Sequence, residues 1–246
     1  MKALIISDIH ANIVALEAVW AKEKDCDIIY CAGDLVDYGP FPKEVIAWVR
    51  DKKVICVQGN HDERVSSLYR DKDKLWNVPD EERTWAHHNA QQLDENEVTF
   101  LEQLPQSVAF DMDGFGYAMQ HMYINYETIE GLHIYQQFWM QQTTEPIRRM
   151  SMKRMIFGHT HRRTVHYLSD NELWMNPGSV SYRRPDDPTK DAHYITITDG
   201  KIEMKSVQYD RTPLLEATLN TRLESRRERQ VALFFFGDGK HPVSGG

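Results

Sequence analysis

The sequence predicts an α/β domain built on two β-sheets, and three observations carry that prediction. The first 57 residues alternate strand, helix, strand, helix, strand, which implies a parallel sheet covered by helices. Three later stretches pair short apolar runs across turn residues, the pattern of antiparallel hairpins. Asp, Asn and His collect where the expected strands end. One sheet begun by parallel units and another completed by hairpins, with helices outside, accounts for all three.

Lys2 to Ser7 reads as a buried strand. Ile13 to Lys24 reads as a helix capped by Asn12, with Ile13, Leu16, Val19 and Trp20 on one face. Ile28 to Cys31 is the second strand. Pro42 to Asp51 is a helix with proline at its start and Val45, Ile46 and Val49 as its stripe. Lys53 to Val57 is the third strand. Glu63 to Pro105 turns polar and helical, with helices about Glu81 to Ala90 and Glu95 to Leu104. Val108 to Met112 and Tyr117 to Gln120 flank Asp113-Gly114 as a hairpin. Asn125 to Met152 is aromatic-rich and reads as helix, followed by a short strand, Arg154 to Phe157. Hairpins follow at Thr164 to Leu168 with Glu172 to Met175, and at His193 to Thr198 with Lys201 to Gln208. Thr212 to Gln230 reads as a terminal helix. The expected organisation is one domain over residues 1–236, with a helical insertion about 63–105 and a loose tail at 237–246.

The 246 residues carry 29 Lys+Arg and 37 Asp+Glu, a formal charge of −8, which argues against a binder of long nucleic acids. The apolar runs Ala3 to Ile6 and Val231 to Phe236 are far shorter than the ~20 residues of a membrane span. The apolar start meets Asp8 and His10 too early for a signal peptide. Cys26, Cys31 and Cys56 read as reduced core thiols, so a cytoplasmic protein is expected.

The first strand runs into Asp8-Ile9-His10 and the second into Gly33-Asp34-Leu35-Val36-Asp37-Tyr38-Gly39. The third runs into Gly59-Asn60-His61-Asp62; later ones end at Gln120-His121 and Gly158-His159-Thr160-His161. Asp8, Asp34 and Asn60 are each 26 residues apart, one strand–helix repeat. In parallel sheets ligands bind beyond the carboxyl ends of the strands, so these segments should converge. Carboxylate and imidazole without thiolate suit a divalent ion such as Mn²⁺, Fe²⁺ or Zn²⁺. Seven such groups suit two ions sharing a carboxylate, and Asp34, central in the order, is the natural bridge. Gly33, Gly59 and Gly158 would let the backbone turn sharply there.

These ordered motifs, with Asn176-Pro177-Gly178-Ser179-Val180, resemble the calcineurin-like metallophosphoesterase superfamily, in its small single-domain bacterial and archaeal branch. The resemblance runs from Met1 to about Tyr209. It implies a four-layer αββα sandwich with a dinuclear site at its rim. It implies that Asp8, His10 and His161 bind one metal, that Asn60, His121 and His159 bind the other, and that Asp34 bridges. His61 would protonate the leaving oxygen or bind phosphate, and Asp37 would orient it. Two divalent ions (Mn, Fe, Zn, Ni, Co or Mg, with Mn favoured) would generate a hydroxide that attacks the ester in line, and histidine suits general acid work near pH 7.

Departures from the family pattern are Ala11, Met122 and Tyr38. Met122 follows His121 where glycine is usual, and His133 is the competing ligand. Tyr38 stands where related protein phosphatases carry an arginine clamp, which disfavours a protein phosphatase. Arg162, Arg163, Arg183 and Arg184 could reach a phosphate, or could be surface charge. Tyr123, Tyr126, Tyr135, Phe138 and Trp139 could stack a nucleobase; at helical spacing they read first as core or as a contact between copies, which leaves a homo-oligomer open. The leading expectation is a phosphoesterase acting on a phosphomonoester or small phosphodiester, including a nucleotide. The alternatives are a dinucleoside polyphosphate hydrolase and a noncatalytic scaffold, the latter disfavoured by the presence of His61 and every ligand.

Overall fold

A computed structural model describes residues 1–124, 127–181, 184, 186–187, 189–221 and 226–237. Its centre is a pair of five-stranded sheets. The first contains β1 (Lys2–Ile6), β2 (Ile28–Cys31), β3 (Ile55–Cys56), β9 (Ala192–Thr198) and β10 (Lys201–Val207), in the order β10-β9-β1-β2-β3. The second contains β4 (Ser107–Met112), β5 (Phe115–Gln120), β6 (Lys153–Ile156), β7 (Thr164–Tyr167) and β8 (Glu172–Asn176), in the order β4-β5-β6-β8-β7. β1, β2 and β3 run parallel, as do β5, β6 and β8. The three expected hairpins supply the antiparallel edges, and β9 closes the first sheet by pairing with β1.

Both faces of β1 are buried, which is why it reads as a continuous apolar run rather than an alternation. Ala3 and Ile5 join Tyr117, Met119, Ile156 and Met175 between the sheets. Leu4 and Ile6 pack instead with Leu16 and Val19 of α1 (Ile13–Lys22) and Val45 of α2 (Pro42–Asp51). Tyr30 and Phe110 stack across the inter-sheet core with ring centres 4.0 Å apart. The outer face of the second sheet, with Ala118, Met155 and Trp174, is covered by Tyr135 and Trp139 of α7 (Leu132–Gln142). The layers are therefore helix, sheet, sheet, helix, as the resemblance implies.

Residues 60–102 form α3 (Asn60–Arg70), α4 (Lys72–Trp76), α5 (Trp85–Gln92) and α6 (Glu95–Glu102). Val65, Leu75, Ala86, Ala90, Val98 and Leu101 sink into the core of the first sheet, so the stretch is a packed outer layer.

Several boundaries differ from expectation. The helix expected over 125–152 is α7 and a 3-10 turn at Ile147–Arg149; residues 125–126 lie outside the described residues. Thr143 ends α7 by turning to extended backbone, and its hydroxyl donates to the Trp139 carbonyl at 2.6 Å, satisfying a last-turn acceptor. The helix expected at 81–90 is a 3-10 turn at Asp80–Glu82 followed by α5, because Thr84 is extended and its backbone N–H donates to His87 Nδ1 at 3.1 Å. The terminal helix is α8 (Thr212–Asn220) and α9 (Arg226–Phe236), with 222–225 outside the described residues. Phe234, Phe235 and Phe236 are buried with Trp85 and Leu214, next to Tyr38 and Phe41. Of the expected tail, only Gly237 is described. Among the described residues no helix is long and apolar enough to cross a membrane. The three cysteines are free thiols.

Candidate metal centre

The loops after β1, β2, β3, β5 and β6 meet at one rim of the sandwich and are stitched together by their own backbones. Asp8 N–H donates to Gly33 O at 2.9 Å, and Gly158 N–H donates to His121 O at 2.9 Å. His159 N–H reaches Asp8 Oδ1 at 3.1 Å, joining the two sheets. Turning so many side chains inward strains the chain. Asp8, His10, Ala11, Asp34, Asp37, Tyr38, His159 and His161 all have positive φ, a conformation that costs a non-glycine residue on the order of 1 kcal/mol each. Such strain persists only where surrounding contacts over-determine it, and it concentrates at functional sites. Gly33 shares that region at φ +90° and meets the expected need for a turn. Gly59 and Gly158 do not; they serve close approach. A Cβ on Gly59 would lie 2.1 Å from Asp34 Oδ1, and one on Gly158 would lie 2.0 Å from Ser7 Oγ.

Two clusters share Asp34. Asp8, His10, Asp34 and His161 offer ligand atoms within 4.8 Å of one another, as do Asp34, His121 and His159. His10 Nε2 lies 3.2 Å from His161 Nε2, which lies 3.2 Å from Asp8 Oδ1. Two nitrogens at ~2.1 Å from one cation, at tetrahedral or octahedral angles, stand ~3.0–3.4 Å apart. On the other side, Asn60 Oδ1 is 3.0 Å from His121 Nε2 and 2.9 Å from His159 Nδ1. Asp34 Oδ1 accepts the His61 N–H at 2.9 Å. Its Oδ2 is buried and makes no hydrogen bond among the described residues, yet it lies 3.2 Å from His121 Nε2 and 3.9 Å from His10 Nε2. A buried carboxylate oxygen left without a hydrogen bond is costly unless a cation satisfies it. His121 Nδ1 sits 2.7 Å from the Ala32 carbonyl, which fixes its proton there and leaves Nε2 for coordination. The oxygen and imidazole donors fit a divalent ion of the manganese, iron or zinc type.

Protons and a cation compete for this site. Burial opposes charge on His121, but Asp34 and Asp8 outweigh it and push its pKa up to about 10. Burial holds His10 down at about 3 despite Asp34. Burial would also raise Asp34, yet the surrounding imidazoles, His121 first, keep it far below the carboxylate range. His61 stands outside both clusters. Its Nδ1 lies 2.8 Å from Asp37 Oδ2, and its Nε2 is turned toward Asp34 Oδ2, 4.0 Å away. Burial lowers the His61 pKa, but the Asp37 hydrogen bond and the Asp34 charge override it and raise the value. Tyr38 packs its ring on His61 at 4.6 Å.

Sequence reasoning assigned no role to Asp62, although it lies in the quoted motif. Its buried carboxylate accepts the N–H groups of Gly59, Asp34, Leu35 and Val36 at 2.9, 3.1, 2.8 and 3.2 Å, locking the loop after β2 to the start of α3. Asn176 and Ser179 brace the rim likewise: Asn176 Nδ2 donates to Gly158 O at 2.6 Å, and Ser179 Oγ donates to Asp8 O at 2.9 Å. The available signal was the Asn176-Pro177-Gly178-Ser179-Val180 segment, which begins at the last residue of β8.

The other expected residues are spread around the site. His133 is exposed on α7 and joins neither cluster. Arg162, Arg163 and Arg184 line an open groove beside His161. Arg162 and Arg184 both pair with Asp186, at 2.9 and 3.2 Å, while Arg163 donates to Lys205 O. Arg183 and Tyr126 lie outside the described residues. Tyr135 and Trp139 are fully buried beneath the second sheet, so they serve as core.

A family model described as the calcineurin-like phosphoesterase superfamily domain matches residues 1–200. An uncharacterized protein of Methanocaldococcus jannaschii, MJ0912, is 28% identical over 242 residues, covering 89% of this chain and 92% of that protein. The crystal structure of a metallophosphoesterase from Sphaerobacter thermophilus superposes with a TM-score of 0.70 at 25% identity, over 94% of this chain and 99% of that one. The hypothetical protein PH1004 from Pyrococcus horikoshii shares the fold, with a TM-score of 0.74 at 16% identity over 98% and 99% of the two chains.

Proposed function

The chain belongs to the calcineurin-like phosphoesterase superfamily, a family of metal-dependent hydrolases of phosphate esters, and from that premise we propose that it cleaves a phosphomonoester or small phosphodiester at a dinuclear centre. The observation that carries the reading is Asp34, whose buried, unbonded Oδ2 stands between two clusters of imidazole and oxygen donors. In this reading Asp8, His10 and His161 hold one cation, Asn60, His121 and His159 hold the other, and Asp34 bridges. When bound, the cations, with manganese the favoured pair, supply the positive charge that activates water and offsets the phosphoryl oxygens. His61 holds a proton on Nε2 for the departing oxygen, since Asp37 engages Nδ1 and stabilises the charged ring. Arg162 and Arg184 face the groove through which an anionic substrate would approach. Tyr135 and Trp139 are buried and offer no stacking surface to a dinucleoside polyphosphate, whereas Tyr123 lines a pocket beside His159.

Metal reconstitution tests this directly. The wild-type protein should hydrolyse aryl phosphates with Mn²⁺, and chelation should abolish both turnover and inorganic phosphate binding. Asp34→Asn should lose metal by elemental analysis. His61→Ala should keep metal but lose about 10²–10⁴-fold in turnover, less for acidic leaving groups. Undiminished phosphate binding by the chelated protein, or equal His61→Ala losses on aryl and alkyl esters, would count against the reading.

A further inference from the structure

Beside Asn60 and His121 opens a further pocket of about 540 Å³. Four glutamines from four separate parts of the chain converge on it: Gln58 after β3, Gln106 before β4, Gln120 at the end of β5 and Gln142 at the end of α7. Ser107 and Glu63 complete its polar lining. Nothing in the assembly of the metal clusters requires these amides.

Their arrangement is organised. Gln58 Nε2 donates to the Leu101 carbonyl at 2.9 Å, which turns Gln58 Oε1 to accept Gln106 Nε2 at 2.6 Å. Gln120 Nε2 donates to the Met122 carbonyl. Gln58, Gln106 and Gln120 thus each have one amide donation engaged within the protein, and the lining offers amide oxygens, further amide N–H groups and the Glu63 carboxylate. Such a surface exchanges hydrogen bonds in both directions. Among the described residues its lining includes no Lys or Arg to balance a second phosphate and no Phe, Tyr or Trp on which a base could stack.

We infer that this pocket receives the alcohol portion of the ester, and that the portion is a neutral, hydroxyl-rich group such as a sugar or polyol. The inference rests on the proposed phosphoesterase reading and deepens it, because the pocket begins where Asn60 and His121 border the metal centre. Among the described residues, three openings border the centre: this amide-lined pocket, the charged groove by His161, and an aromatic pocket by His159 with Tyr123, Phe157 and Trp174. Hydroxyl groups match the first; the second holds Arg162 and Arg184 against Asp186, and the third would favour an apolar substituent. An analogue lacking hydroxyls forgoes these hydrogen bonds and should bind more weakly.

The test is equilibrium binding, which needs no turnover. Mn²⁺-loaded His61→Ala protein is titrated with inorganic phosphate, phenyl phosphate and glucose 6-phosphate. The hexose ester should bind about tenfold more tightly than either other ligand, the equivalent of one or two net hydrogen bonds. Gln106→Leu and Gln142→Leu, at exposed and half-buried positions outside the core, should each erode that preference. Preference for phenyl phosphate, equal affinity for all three, or a hexose preference surviving both substitutions overturns the assignment while leaving the metal centre intact. Failure of every ligand to bind metal-loaded protein overturns this inference together with the phosphoesterase reading.

Discussion

Asp62 shows how a residue outside both donor clusters can govern a candidate metal site. Four backbone N–H groups converge on one buried carboxylate, and two of them belong to Asp34 and its neighbour Leu35. Burial and the Asp34 charge push the Asp62 pKa up to about 7, while the backbone donors pull it down. Asp62→Ala would orphan all four donors, at about 3 kcal/mol or more, whereas Asp62→Asn keeps one acceptor oxygen and should cost less. Urea denaturation should rank wild type, Asn and Ala in that order, with metal content falling in parallel. Equal stability of wild type and Asp62→Ala would show that the loop holds itself. At this scale the chemistry-bearing residue types were legible in the chain, since Asp, Asn and His recur directly after apolar runs. The bracing roles of Asp62, Asn176 and Ser179 were not, although all three lie in the quoted motifs, because the backbone donors and acceptors they meet leave no mark on a sequence.

Elements divide by how local their causes are. α1 and α2 fall close to where their apolar stripes place them, with Asn12 Oδ1 accepting the Ala15 N–H at 2.9 Å and Pro42 opening α2. The stretch from 125 to 152 misleads because its aromatics suggest helical spacing, but Thr143 and Pro146 interrupt it, and among its described residues only Leu132–Gln142 lies against a sheet as α-helix. Within α7, Trp139 is fully buried and its Nε1 donates to Arg148 O at 3.2 Å. Trp139→Ala should therefore lower stability by about 3–5 kcal/mol. Thermal melts should show that loss while metal content per folded molecule is kept. Loss of metal at temperatures where the fold persists would instead tie α7 to the site.

The whole molecule is held across its layers by charge as well as by core. Glu23, just past α1, is buried and receives Lys2 at 2.8 Å, Tyr194 at 2.9 Å and Lys205 at 3.1 Å, so it binds three strands of the first sheet. Burial would raise its pKa, but the hydrogen bonds from Lys2, Lys205 and Tyr194 hold it below the ordinary value. A depressed carboxyl stabilises the fold above the unfolded pKa and loses that contribution as pH falls through the folded one. The stability gap between wild type and Glu23→Gln should be full at pH 7 and narrow below about pH 4. A gap that stays constant to pH 3 would contradict a charged Glu23. The formal charge of −8 takes on local meaning at this scale. Beyond ~8 Å it is screened at physiological salt, so a small ester meets the rim rather than the average field.

By itself the sequence determined the layered α/β class, the order of the segments that carry candidate ligands and the family, because hydrophobic periodicity and short motifs are written locally. Tertiary structure alone decided that Asp34 Oδ2 stands between two donor clusters, that His133 stays outside them, and that four distant glutamines face one pocket. Those outcomes depend on how loops from two sheets close against each other. Packing sets that closure among residues as far apart as Asp8 and Ser179, 171 positions, and no local pattern encodes it.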